Sequence, residues 1–499
     1  MIDNVSRRRF LAGGALAISG LASAKAAPPP PAPPPPAPYG ALPSGRQVRW
    51  SEMEFYNFLH FGMNTFTGRE WGYGNDSPSL FNPTDFDANA IMEALKNGGS
   101  TGAILTCKHH DGFCLWPTKT TGYSIKRSPY KNGKGDIVRE ISEAAHRYGL
   151  KFGVYCSPWD RHEASYGTPQ YVQLYRQQIH ELLTWYGPVF EIWHDGANGG
   201  TGWYGGAGGK RIIDKHTYYH WPEIWALERK LQPNAVIFSD VGPDIRWIGN
   251  EKGIAGETCW ATYTPRSADG GTPVPGDVDQ HEASTGTRNG KFWMPGECDV
   301  SIRPGWFWHA KQNSEVKSPG DLLKLFYEST GRGASFLLNV PPDRRGRIDP
   351  ADAESLRGFA RLRRSIFSRN LAAHARITAS NVRGNPYRAE NMTDGKRETY
   401  WATGDAHKTP HAIFDFDRPV AFNIVRLREA IHLGQRIGAF AVDVWENGNW
   451  SPFGQGASIG ACRILRCEQL IRTNRVRLAI TESPVCPALA EFALFAERG

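Results

Sequence analysis

Val189-Phe190-Glu191-Ile192-Trp193-His194-Asp195-Gly196 runs an apolar strand into a carboxylate backed by glycine. In a parallel sheet such a strand delivers its last residues to the carboxyl edge, where ligands bind, and the glycine leaves the acid open to a ligand. The bland alternative for Asp195 is a turn or N-cap aspartate. Outward from this run the pattern repeats. Phe58–Met63, Gly102–Thr106, Phe152–Tyr155, Ala235–Ser239, Glu257–Ala261, Phe292–Pro295 and Ser335–Val340 are further short apolar runs, separated by longer segments with helical spacing. Asp87–Asn97, Asp136–Tyr148 and Tyr171–Tyr186 are such segments, each followed by a C-cap signal at Gly98, Gly149 or Gly187. Eight strands alternating with helices predict an α/β fold, a closed (β/α)8 TIM-type barrel. A doubly wound open sheet shares the alternation, so the count and the position of the chemistry decide.

After a last helical stretch, Ala351–Phe367, short alternating runs follow without helices at His411–Phe416, Asn423–Arg428, Ala439–Val444, Val476–Ile480 and Ala490–Ala496. They predict a C-terminal β-sandwich of roughly 125 residues. A chain of 499 residues is long enough for two cores. The expected division is a leader over 1–26, a Pro-rich spacer over 27–44, a barrel over 45–369 and a sandwich over 370–499.

The leader is read from Ser6-Arg7-Arg8-Arg9-Phe10-Leu11, a twin-arginine pattern, followed by an apolar run to Ala22 and small residues at Ala24 and Ala26. This predicts export by the twin-arginine route to the periplasm or beyond. A membrane anchor is the alternative, but the run is shorter than the roughly 17–25 residues of a spanning helix. The formal charge is +8, and residues 1–26 carry four basic side chains against Asp3, leaving about +5. That excess is too small and scattered for a nucleic-acid partner. The eight cysteines show no metal-ligand spacing; Cys462 with Cys467 or Cys486 is the first pair to examine for a disulfide.

Polar residues gather where the apolar runs end. His60 ends the first, His109 and His110 follow the second, Tyr155 ends the third, Trp193 and Asp195 close the fourth, and Glu297 follows the seventh. Carboxylates, imidazoles and aromatics converging on one barrel rim predict a site for a carbohydrate or small polar substrate. A metal at His109-His110-Asp111 is not expected, because adjacent residues of a strand face opposite ways.

The combination of His60-Phe61-Gly62, Lys108-His109-His110-Asp111-Gly112-Phe113, Gly153-Val154-Tyr155-Cys156-Ser157 and Trp193-His194-Asp195-Gly196 resembles the α-L-fucosidases of glycoside hydrolase family 29. Leu337-Leu338-Asn339-Val340-Pro341-Pro342, with Gly346 and Ile348, extends the resemblance over about residues 50–365. The resemblance implies a retaining mechanism with Asp195 as nucleophile and a second carboxyl group roughly 5–5.5 Å away as acid/base. Asn250-Glu251, within Gly242–Glu251, is similar to the segment bearing that acid/base in the α-1,3/1,4-specific branch, so Glu251 is the first candidate and Glu297 the rival. The same resemblance places His60, Glu70, Trp71, His109, His110, Tyr155, Trp193 and Trp306 around the sugar. Arg246 would hold a carboxylate or a hydroxyl, or form a surface ion pair. The implied partner is a fucosylated oligosaccharide or glycoprotein glycan, and no cofactor is implied.

Asn391-Met392-Thr393-Asp394-Gly395-Lys396 and Thr399-Tyr400-Trp401-Ala402-Thr403 resemble the discoidin, or coagulation-factor type C, sandwiches. Such domains bind carbohydrate or only pack against their neighbour, and some hold a structural calcium. Two other readings stay open for the chain: a retaining glycosidase for another sugar, and a non-catalytic fucose lectin on a barrel scaffold.

Overall fold

The computed structural model describes residues 32–497; the leader expected over 1–26 lies outside them. Eight parallel strands close a barrel in sequential order. They are β1 (Phe55–Leu59), β2 (Gly102–Lys108), β3 (Lys151–Cys156), β4 (Glu191–Trp193), β5 (Val236–Ser239), β6 (Ile245–Trp247), β7 (Gly296–Ser301) and β8 (Ser335–Asn339). Nearly every strand residue is buried, as expected where one face packs inside the barrel and the other under helices. α1 (Gly45–Ser51) begins at the Ser44 cap and covers the N-terminal mouth, adding Trp50 to the interior cluster of Tyr56, Phe58, Tyr155, Trp193, Phe238 and Leu337. The outer helices are α2 (Ala88–Asn97), α3 (Ile137–Arg147), α4 (Pro169–Trp185), α5 (Trp221–Leu231), α6 (Pro319–Glu328) and α7 (Pro350–Phe367).

Two expected strands are corrected. Glu257–Ala261 is not in the barrel: β6 follows β5 after residues 240–244 alone, which contain a cis Gly242–Pro243 bond. Phe292 and Trp293 pair antiparallel with Thr262 and Tyr263 in a separate ribbon, so the seventh barrel strand starts later, at Gly296.

The C-terminal domain is a seven-stranded antiparallel sheet of β9 (Arg376–Ala379), β10 (Trp401–Ala402), β11 (His411–Glu429), β12 (Ala439–Glu446), β13 (Asn449–Gly456), β14 (Arg463–Glu482) and β15 (Ala488–Phe495). β11 and β14 are long, and register shifts between Asp415 and Val420 and between Phe422 and Ile424 bend them, letting the sheet enclose its own core. Trp401, in the discoidin-like motif, is a fully buried member of that core.

This domain shares apolar surface with the barrel. Ile424, Ile464 and Phe495 join the cluster that contains Phe326 and Phe359, and Phe495 meets Phe367 edge-on at 5.1 Å. At the same boundary Glu54 accepts Arg397 at 2.6 Å and Arg428 at 2.7 Å. Burial works against ionisation of Glu54, yet the arginines outweigh it and hold the carboxyl at about 2.

Residues 33–39 of the Pro-rich segment lie along the C-terminal domain, with Arg383 donating to Pro34 O, Arg436 to Ala37 O, and Tyr39 N to Leu433 O. All eight cysteines are unpaired, so the suggested disulfides of Cys462 with Cys467 or Cys486 are absent. No helix among the described residues is long and apolar enough to cross a membrane.

Candidate active site

The period of two along a strand sets each inward side chain one layer above the previous one. Tyr56, Phe58 and His60 climb β1 in this way, Glu191, Trp193 and Asp195 climb β4, and Glu297 and Asp299 climb β7. At the C-terminal end the uppermost members line a pocket with an empty volume of about 430 Å³. Its floor and walls are Phe58, His60, His109, His110, Tyr155 and Trp193; Asp195, Glu251 and Asp299 supply carboxyl groups, and Trp71 and Trp306 stand at the rim.

Asp195 is held on both oxygens. Oδ1 accepts Ala197 N at 2.8 Å and Oδ2 accepts the Tyr155 hydroxyl at 2.9 Å, while about a quarter of the side chain remains open to solvent. His110 Nε2 lies 3.6 Å from Oδ2. Gly196 is required by its neighbour, because a Cβ there would lie 2.4 Å from Asp240 Oδ2. The adjacent His194 faces away from the pocket, with Nδ1 2.9 Å from the Tyr175 hydroxyl and Nε2 2.8 Å from Glu228 Oε1.

Three imidazoles enter the pocket. His60 Nδ1 lies 2.9 Å from Asn339 Oδ1, and the Asn339 amide nitrogen donates to Trp306 O, so Nδ1 of His60 is the donor and Nε2 remains an acceptor. His110 Nδ1 meets Ser157 Oγ at 2.7 Å, and Ser157 donates onward to Trp159 O, which assigns the same tautomer to His110. Burial lowers the proton affinity of all three, His60 to about 3, so at neutral pH they are uncharged partners for sugar hydroxyls. The expectation that His109 and His110 face opposite ways is corrected. β2 ends at Lys108, and beyond it the two rings lie 4.2 Å apart in the same pocket. Among the described residues no three His, Cys, Asp or Glu side chains are grouped as a metal site.

Glu251 sits on the loop after β6, and Trp306 Nε1 approaches its Oε2 at 3.3 Å. Burial raises its proton affinity, and the charges of Asp195 and Glu70 add to the effect. Asp299, absent from the sequence-derived set, is 3% exposed and accepts Trp247 Nε1 at 2.8 Å; burial, then the charge of Glu251, drives it far above the usual carboxylate range. The structure removes Glu297 from contact with a ligand: it is fully buried one layer below Asp299, accepting Tyr56 and Trp193. Arg246 is also off the pocket, buried with its donors on the carbonyls of Ala283, Met294 and Trp260. Glu70 stands behind the wall, where Oε2 accepts Trp306 N at 2.7 Å and Oε1 meets His309. Trp71, 55% exposed, meets His110 edge-on, and its backbone carbonyl is clamped with that of Gly72 by Arg161.

A roomier cavity of about 1,040 Å³ opens at the opposite end of the barrel, beside α1, Phe152 and Phe190. Its lining is apolar and basic, without a carboxyl group, and cannot serve glycosyl transfer.

A closed barrel whose rim gathers a fixed carboxylate, a second carboxyl with raised proton affinity, neutral imidazoles and exposed tryptophans defines a glycoside hydrolase. The alpha-L-fucosidase family model matches residues 42–362, and the F5/8 type C domain model matches residues 376–492. The chain belongs to the α-L-fucosidase family, glycoside hydrolase family 29, and carries an F5/8 type C domain behind the barrel. It is 40% identical over 463 residues to alpha-L-fucosidase 1 of Arabidopsis thaliana, covering 92% of this chain and 88% of the plant protein. Among solved structures it is similar to a glycoside hydrolase 29 family member from an unknown rumen bacterium, at 40% identity and TM-score 0.81, covering 93% of this chain and 78% of that one. A Ruminococcus gnavus GH29 fucosidase in complex with fucose is 32% identical with TM-score 0.84, covering 93% and 97% respectively.

Proposed function

We propose that this enzyme hydrolyses terminal α-L-fucose from glycans with retention, through a covalent intermediate on Asp195, with Glu251 as acid/base. A carboxylate of Asp195 attacks the anomeric carbon as the glycosidic bond breaks, and the Glu251 proton passes to the leaving oxygen. Glu251 then takes a proton from water, whose oxygen attacks the same carbon and releases Asp195. The observation that carries this is one pocket holding both groups in different surroundings. Asp195 is oriented by donors to both of its oxygens, and Glu251 has its proton affinity raised by burial, with the charge of Asp195 adding to the effect.

The sugar follows from the fucose complex of the Ruminococcus gnavus relative and from the lining, where neutral imidazoles face hydroxyls and indole rings can cover the C6 methyl. A preference for α-1,3/1,4 linkages on branched glycans rests on the resemblance at Asn250-Glu251 and Glu297–Trp306. Export by the twin-arginine route rests on Ser6–Leu11; retention in the cytoplasm of cells with an intact twin-arginine pathway would refute it. The mechanism is tested by azide rescue. Asp195→Gly should yield the inverted fucosyl azide and Glu251→Gly the retained one. Rescue of Glu251→Gly with inversion, or no rescue of either, overturns the roles. Equal cleavage of a branched oligosaccharide and a simple aryl fucoside would remove the linkage preference.

A further inference from the structure

One layer beneath the pocket floor, two carboxyl groups share a space without any Lys, Arg or His. Glu191 opens β4 and Glu297 stands second in β7, both fully buried. Glu297 Oε1 accepts the Tyr56 hydroxyl, and Oε2 accepts Trp193 Nε1 at 2.8 Å. Glu191 Oε2 accepts Trp50 Nε1 at 3.0 Å. Glu191 Oε1 receives no hydrogen from any neighbour and is sealed from solvent, and its carboxyl lies within hydrogen-bonding reach of Glu297. Ser335 Oγ, 3.1 Å from the Tyr56 hydroxyl, completes the surroundings. The polar groups bonded to the pair or to its Tyr56 partner, from α1, β1, β4, β7 and β8, are thus indoles, hydroxyls or the other carboxyl.

Two carboxylates side by side at low dielectric, with no countercharge, are held apart in energy more strongly than one proton costs to bind. One proton on Glu191 closes the hydrogen-bond accounting: Glu191 O–H donates to Glu297, the orphan oxygen gains a partner, and Glu297 stays the acceptor that Trp193 and Tyr56 need. We infer that Glu191 and Glu297 form a one-proton carboxyl pair that holds Trp193, and through it the surroundings of Asp195, in position.

The path from the pair to the nucleophile is short. The Trp193 ring stacks on Tyr155 with centroids 5.3 Å apart and on Phe238 at 4.1 Å, and Tyr155 donates to Asp195 Oδ2. Glu297 is therefore a positioning residue, since it lines no part of the pocket. Burial raises the proton affinity of both carboxyls, the direction the accounting requires. Because the folded-state values lie above those of an unfolded glutamate, the pair's contribution to stability is complete in acid and is lost as pH rises through the folded values.

The role assigned to Asp195 underlies only the activity arm of the test. In the full-length enzyme Glu191→Gln keeps a permanent N–H donor toward Glu297 and an acceptor for Trp50, but cannot titrate. Relative to the wild type, its unfolding midpoint should decline less as pH rises above the range of an unfolded glutamate. The infrared difference spectrum, wild type minus Glu191→Gln, should show the band of a buried protonated carboxylic acid above the ordinary glutamate range, with Asp299 contributing equally to both enzymes. Glu297→Leu, which strands the Trp193 and Tyr56 donors, should lower kcat/KM at least about tenfold, and Glu297→Gln, whose amide oxygen can still accept Trp193, should recover most of it. Should the leucine variant fail to fold, the infrared arm decides alone. A difference spectrum without that band, or a Glu191→Gln midpoint with the wild-type pH dependence, overturns the shared proton; a Glu297→Leu enzyme with wild-type kcat/KM overturns the positioning role.

Discussion

Trp306→Phe isolates the contact that holds the acid/base group. The phenyl ring preserves the packing against His60, 5.0 Å away, and Phe58, 6.5 Å away, while deleting the indole N–H that approaches Glu251 Oε2 at 3.3 Å. That hydrogen bond favours the charged form of Glu251, so its loss raises the proton affinity of a group already raised by burial. The contact is long and partly wet, which puts it at the low end for a net hydrogen bond, about 0.5–1 kcal/mol. At 1.36 kcal/mol per unit this moves the group by about 0.4–0.7 pH units. A general acid works only while protonated, so kcat/KM falls as pH rises through Glu251, and in the variant this basic limb should lie at higher pH by that amount. The assay is kcat/KM on an aryl α-L-fucoside across pH in both enzymes, with circular dichroism to verify the fold. A limb that stays in place or moves toward acid would refute the assignment of Glu251, or the claim that Trp306 steadies its carboxylate.

Tyr155→Phe removes a donor to the carboxylate of Asp195 at 2.9 Å, a charge-assisted bond of about 1.5–3 kcal/mol, and should cost about 10–100-fold in kcat/KM; a loss under threefold would count against it. Gly196→Ala sets a methyl 2.4 Å from Asp240 Oδ2, an overpacking of about 1–3 kcal/mol, so calorimetry should show a lower midpoint and kinetics a lower kcat. Glu54→Gln removes a buried carboxylate held at about 2 by Arg428 and Arg397, and should destabilise the folded enzyme by about 3 kcal/mol at neutral pH. Because the folded-state value lies below that of an unfolded glutamate, this contribution is present above about pH 5 and disappears toward pH 2, so the variant should lose less stability than the wild type in acid denaturation.

Six of the eight barrel strands were legible because apolar runs alternate with capped helical patterns, a local signal. The sixth failed for a local reason too. A parallel neighbour normally needs a long crossover, and Ile245–Trp247 follows β5 after only residues 240–244, with no helix in between to announce it. The apolar run at Glu257–Ala261 then satisfied the count in its place, although its carbonyls serve the packing of Arg246 and Ser458 instead.

The carboxyl groups of β7 show how a boundary error becomes a functional one. With the strand ending at Pro295, Glu297 reads as lying just beyond it and so as a rim acid. With the strand at Gly296–Ser301, the same residue drops one layer into the core and Asp299, two positions on and facing the same way, takes its place in the pocket. The signal that could have found this is the alternation Glu297-Cys298-Asp299-Val300-Ser301 itself, polar on one face and apolar on the other, since a rim loop has no reason to keep a period of two. His109 and His110 err in the opposite direction. Strand alternation would turn them to opposite faces, but β2 has ended by Lys108, and only off the strand can two adjacent rings turn into the same space. Which residues meet the sugar is therefore decided less by residue type, which the sequence displays, than by where each strand stops, which depends on hydrogen bonds to neighbours distant in the chain.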